Sequence, residues 1–198
     1  MTTWCLGVVT AALFVLPGAV DADGPRGSDG LVIDDFSNGS STSSLGTMWR
    51  CFTDRVMGGV SNGSHTIETK HGHRFLRLAG EVSLENNGGF VQAALDLERR
   101  GQALNASAFT GVRLTVRGDG GPYYIHFKNA QTPQHWNYYE ASFELTDEWR
   151  VLDLPFDAFE TEKGVRDLDP SSLRRIAVVA AHEAGSVDVC VARIELYR

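Results

Sequence analysis

At 198 residues the chain has room for one well-buried core and is short for two. With 42% hydrophobic and 22% charged residues, its balance is that of an ordinary soluble globular domain. The net charge of −7, with lysines and arginines scattered along the sequence, argues against nucleic acid or an anionic membrane as the main partner. Both require a concentrated positive face.

The first segment differs from the rest. Trp4 to Leu16 is almost wholly apolar and uncharged, and Pro17-Gly18 and the small-residue stretch Val20-Asp21-Ala22 follow it. That is the pattern of a secretory signal peptide cleaved after Ala22, here with an n-region whose only charge is the α-amino group. The run is shorter than the about 20 apolar residues a bilayer span needs. Pro-Gly at its end makes it a poor buried helix. The expectation is therefore an exported protein, periplasmic or extracellular, with no stable membrane span. Residues 1–22 read as signal peptide, 23–30 as a polar, Gly-rich linker, and 31–198 as one domain.

Loss of residues 1–22 would remove Cys5 and leave Cys51 and Cys190. Two cysteines in an exported chain invite a disulfide, and closing so long a loop would stabilise by about 4–5 kcal/mol in the chain-entropy account. Two separately buried thiols are the alternative. Asn38, Asn62 and Asn105 each open an Asn-x-Ser triplet, a glycan acceptor only in a eukaryotic secretory pathway.

From Leu31 onward, short alternating segments are broken by Gly, Asn, Asp and Pro. Leu31–Phe36, Phe75–Leu84, Phe90–Leu97, Val112–Arg117, Tyr123–Lys128, Trp136–Leu145, Trp149–Leu154, Ile176–Ala181 and Val187–Tyr197 read as strands. Ile176–Ala181 is apolar on both faces, as a central strand is. Only single helical turns are expected, at Pro155–Phe159 and at Asp169–Leu173, where Asp169 caps and Pro170 follows. Many short strands with frequent turns predict an all-β fold, an antiparallel sandwich or barrel in one domain.

Two stretches pair glycines with polar side chains, "DRVMGGVSNG" from Asp54 and "EVSLENNGGF" from Glu81. Paired glycines permit positive φ or close backbone approach, so both read as turns or bulges that set strand register. The functional alternative places Asp54, Arg55, Ser61, Asn86 and Asn87 on one rim that holds a polar partner group. Met57 is either an exposed apolar contact there or a buried filler.

Strand alternation yields a second constellation. If Tyr123, Ile125 and Phe127 point inward, Tyr124, His126 and Lys128 point out; if Tyr139, Ala141, Phe143 and Leu145 point inward, Trp136, Tyr138 and Glu140 point out. With Arg113, Thr115 and Arg117 expected nearby, one face would interleave aromatics and charges. Such a face stacks a sugar ring or forms a protein-binding hot spot. The bland alternative is a solvated face covered by the loop 129–135.

These blocks carry a resemblance. "DRVMGGVS", "GEVSLENNGGF", "FTGVRLTVRGDGGPYYI", "YYEASFELTDEWRVLDLPFDAF" and "SSLRRIAVVA" resemble, in order, the motifs of the complex I intermediate-associated protein family. That family comprises assembly factors of mitochondrial NADH:ubiquinone oxidoreductase with bacterial and plastid relatives. It usually has Gly where this chain has Arg55. The resemblance implies a galactose-binding-like jelly roll similar in shape to carbohydrate-binding modules, a chaperone-like binding role, a possible mitochondrial location and no catalysis. By analogy with related jelly rolls, Asp34, Asp35 and Glu195 are the residues that could hold a structural Ca²⁺.

Enzyme templates are missing: the sequence has no nucleophile elbow, no phosphate-binding P-loop and no strand–GxGxxG–helix unit. His65, His71 and His73 lack the partners for a tetrahedral metal set. The sequence thus predicts no catalytic residues, no metal and no cofactor. It predicts a binding domain for a protein partner, with a glycan-binding module as the alternative.

Overall fold

The computed structural model describes residues 30–132, 134, 136–161 and 167–198. The expected signal segment 1–22, Cys5 and the linker up to residue 29 lie outside them. Two antiparallel sheets face each other. One contains β1 (Leu31–Asp34), β3 (Asn62–Lys70), β4 (His73–Val82), β6 (Gly111–Gly118), β9 (Arg150–Pro155) and β11 (Gly185–Tyr197). Its order is β3-β4-β11-β6-β9, with β1 pairing the far half of β11. The other contains β2 (Arg50–Thr53), β5 (Phe90–Asp96), β7 (Tyr123–Asn129), β8 (Tyr139–Phe143) and β10 (Leu173–Ala181) in the order β2-β5-β10-β7-β8. This is an all-β jelly-roll sandwich.

Alternation builds the core. Leu76 and Leu78 of β4, Val112, Leu114 and Val116 of β6, and Val187, Val189 and Val191 of β11 meet Val91, Ala93 and Leu95 of β5 and Ile125 and Phe127 of β7. Burying one such side chain is worth about 1.5–3 kcal/mol, so the facing rows dominate the fold's stability. Trp49 and Phe36 close one end, and the Trp49 indole N–H donates to the buried Asp34 carboxylate at 2.8 Å. The nine expected strands all occur within a few residues of their expected bounds. Both single turns form, and the Asp169 side chain accepts from Ser171 N–H at 2.9 Å.

Two strands were not expected. β2 has only four residues, and β3 carries Ile67 as its one large apolar side chain, so neither shows a hydrophobic stripe. The β3–β4 hairpin turns at His71-Gly72, both with positive φ, so His71 is a turn residue and His73 opens β4 opposite Lys70.

The disulfide expectation is corrected. Cys51 and Cys190 are free thiols. Cys51 packs on the core from β2, whereas Cys190 sits between core-facing Val189 and Val191 and so projects from the opposite face of its strand. The Ca²⁺ idea also meets a different structure. Asp34 is taken up by Trp49 and the Phe36 N–H, and Glu195 pairs with Arg193 at 2.7 Å. Among the described residues no cluster of three metal-ligating side chains occurs.

Candidate binding cleft

The outer face of the five-stranded sheet holds a cleft of about 640 Å³. Its floor follows from the register of β10 with both neighbours. Ala177 lies between Ala94 and His126, Val179 between Gln92 and Tyr124, and Arg175 between Asp96 and Lys128. β10 is central, so its inward Ile176, Val178 and Ala180 fill the core while Ala177, Val179 and Ala181 form the floor. Small side chains in the middle strand flanked by larger ones make the face concave.

One wall comes from the two Gly-Gly stretches. Asp54 begins a 3-10 turn, Asp54–Met57, that ends at Gly58 with φ 94°. Its carboxylate is fully buried and accepts Ser61 N–H at 3.0 Å, Gly89 N–H at 2.6 Å and the Ser61 hydroxyl. A Cβ on Gly59 or Gly88 would overlap that carboxylate, so both must be glycine. Burial pushes the Asp54 carboxyl up, but the bonds from Ser61 and Gly89 outweigh it and hold it below the usual carboxylate range. The hub fixes Val56 and Met57 on one lip and Asn87, Gly88 and Gly89 beside them.

The opposite wall is Trp136 and Tyr138, just before β8. The Tyr138 ring stacks on His126 with centroids 4.0 Å apart and planes within 8°, and Lys128 Nζ donates to the Gln134 carbonyl at 2.6 Å. β7 thus holds the wall through two outward side chains. Behind it, Glu140 Oε2 lies 3.2 Å from His126 Nε2 and 3.1 Å from His182 Nε2. Burial pushes the His126 imidazole below its usual value despite the carboxylate, so the ring is held neutral.

The expected aromatic face therefore exists: Tyr124, His126, Trp136, Tyr138 and Glu140 come together. Arg113 does not join them. It lies on β6 of the other sheet, paired bidentately with Asp153 at 2.6 and 2.7 Å, because β6 alternates into the six-stranded layer. Asp54 and Ser61 are buried at 0% and 1% exposure, so they shape the rim instead of touching a ligand. Arg55 donates to the Ser61 carbonyl at 2.9 Å, Asn86 and Asn87 adopt positive φ, and Asn87 lines the cleft. Met57 is 52% exposed, the open one of its two readings. Phe52, Phe90, Gln92, Lys128 and Arg175 complete the cleft. The same two-residue alternation, applied to β5, β7 and β10, points all but Phe52 to it.

Comparisons accord with this shape. The family described as Complex I intermediate-associated protein 30 (CIA30) matches residues 35–190. The family 11 carbohydrate-binding module of the cellulosomal cellulase Lic26A-Cel5E of Clostridium thermocellum superposes with a TM-score of 0.65 at 14% identity, covering 86% of this chain and 95% of that one. The same module in complex with a β-1,3-1,4-mixed-linked tetrasaccharide gives 0.64 at 14% identity, covering 85% and 95%. An exo-β-agarase gives 0.57 at 16% identity, covering 85% of this chain and 25% of that one. At such identities the likeness concerns the fold. No curated protein sequence matches the chain.

Proposed function

The chain belongs to the complex I intermediate-associated protein 30 family, and from that premise we propose a non-catalytic binding domain whose cleft seats a segment of a protein partner. One observation carries the reading: the lips are aliphatic as well as aromatic. Val56 is 70% exposed, Met57 52% and Trp136 57%, and they face each other across a floor of Ala and Val. Exposed aliphatic surface gains about 25 cal/mol per Å² when a partner covers it, and flexible Met suits an irregular polypeptide surface. Aliphatic lips give a sugar's hydroxyl groups nothing to bond. An assembly-factor-like role follows, in which the domain shields an apolar stretch of an incomplete partner.

A glycan-binding reading stands second, supported by the aromatic Trp136 and Tyr138 next to Gln92 and Asn87, a combination able to stack and hydrogen-bond a ring. The jelly-roll likeness to the tetrasaccharide-bound module is compatible with it. Export through residues 1–22 remains part of the proposal, with mitochondria the alternative that the family suggests. Among the described residues no helix is long and apolar enough to cross a membrane.

Parallel affinity purification with the wild type and Met57→Glu tests the choice. The protein-binding reading expects a polypeptide retained by the wild type and lost with the variant. Retention of a glycan, abolished by Trp136→Ala and indifferent to Met57→Glu, would replace it with the second reading.

A further inference from the structure

One end of the cleft is cationic, in a chain whose net charge is −7. Arg175 and Arg50 both bind the single carboxylate of Asp96, at 2.7 and 2.6 Å. Arg175 and Lys128 are register partners on adjacent strands. Among the described residues, Lys128 has the neutral Gln134 carbonyl at 2.6 Å as its hydrogen-bond partner and makes no salt bridge. Two of the three cations on this stretch of sheet therefore share one anion, and Lys128 has no carboxylate against it among the described residues. The remaining nearby acid, Glu140, stands at the next register position along β7 and is engaged by His126 and His182.

The walls beside this end are apolar: Phe52 lies under the Arg175 guanidinium, 6.0 Å from ring centroid to Cζ, and Trp136 and Tyr138 stand opposite. A carboxylate entering between Lys128 and Arg175 would meet a charged donor in a partly dry site, where charge-assisted hydrogen bonds are about twice as strong as neutral ones. Burial and the Arg175 charge push the Lys128 ammonium below its usual value, the condition of a cation short of counter-charge.

We propose that the cleft recognises an acidic residue flanked by apolar ones in its polypeptide ligand, with the carboxylate seated at Lys128 and Arg175 and the apolar neighbours between Met57 and Trp136. This rests on the protein-binding reading above and adds the chemistry of the segment. The positive end distinguishes an acidic-apolar segment from a purely apolar one, which would leave Lys128 desolvated and unpaired.

The test is selection from a phage-displayed random peptide library against the full chain, followed by affinity measurements on the winning peptide. Enrichment of Asp or Glu beside aliphatic or aromatic residues is expected. Changing that acid to its amide should weaken binding about tenfold, as losing a charged hydrogen bond does. Lys128→Gln, which keeps a donor for the Gln134 carbonyl, should weaken the acidic peptide about tenfold and leave the amide peptide unchanged. Selected peptides that lose binding with Met57→Glu but are indifferent to the amide change would overturn the carboxylate assignment and leave the protein-binding reading standing. Failure to select any peptide, with retention of a polyuronate instead, would overturn both.

Discussion

The Asp54 carboxylate accepts the N–H of Gly89, 35 residues further along the chain, at 2.6 Å, joining the two Gly-Gly stretches through one buried charge. Each stretch alone is a tight turn. Together they form a single wall, because the same carboxylate also takes the Ser61 N–H and hydroxyl, and the Ser61 hydroxyl in turn accepts Ser83 N–H at 2.9 Å.

Asp54→Ala should therefore be among the most costly single changes near the cleft. It strips the acceptor from two buried backbone donors and a hydroxyl, each worth about 1–3 kcal/mol when left unmade. A loss of about 3 kcal/mol or more in urea unfolding is expected. Because the folded carboxyl titrates below its usual 3.8, its contribution is fully present above about that pH and disappears as pH falls through the depressed folded value. A variant as stable as the wild type at pH 7 would contradict the hub.

His126 sets a second pH window. Its folded value lies below the usual 6.5, so the unfolded chain binds a proton first and stability declines as pH drops from about 6.5. The neighbouring groups are Glu140 on β8, His182 after β10, Tyr138 on the wall and Tyr124 and Lys128 on its own strand. His126→Gln should flatten the urea midpoint between pH 7.5 and 5.5. An unchanged slope would show that His126 is not the group responsible.

The two outward tryptophans should separate stability from binding. Trp136 is 57% exposed, and Trp136→Ala should move the unfolding free energy by no more than about 0.5 kcal/mol. Trp149 is 38% exposed and covers Phe75 edge-on at 5.6 Å, under the Arg117 guanidinium. Trp149→Ala should cost about 1–2 kcal/mol from the uncovered ring and the lost cation–π contact. Thermal melts of both variants check the contrast.

Cys51 and Cys190 should both alkylate in denaturant without any reductant, seen as two added groups in the intact mass of the chain lacking residues 1–22. Reductant should leave the unfolding midpoint in place. No added groups would mean a bridge between the two sheets, from β2 of one to the outer face of β11 of the other.

The sandwich was legible because its strands carry the period-two pattern strongly. Val112, Leu114 and Val116, or Ile125 and Phe127, declare their inner faces, and Tyr124, His126 and Glu140 follow as outer ones. β3 was hidden since an edge strand with Ile67 as its one large apolar residue shows little alternation. Arg113 was misplaced because alternation gives the face of a strand and not the sheet it joins. Lys128, Arg175 and Arg50 are scattered in sequence, and only the β7–β10, β5–β10 and β2–β5 registers bring Lys128 and Arg175 to one end of the cleft, with Arg50 beside the Asp96 it shares with Arg175.

Site-specific photocrosslinking in the native cell tests the central claim most directly, with a photoreactive phenylalanine at Val56 on the cleft lip or at Val151 on the opposite sheet. These positions are 70% and 63% exposed, so both report contact without disturbing the core. The cleft account predicts a discrete protein adduct from position 56 and none from 151. Adducts from position 151 alone would place the partner on the other sheet and contradict it.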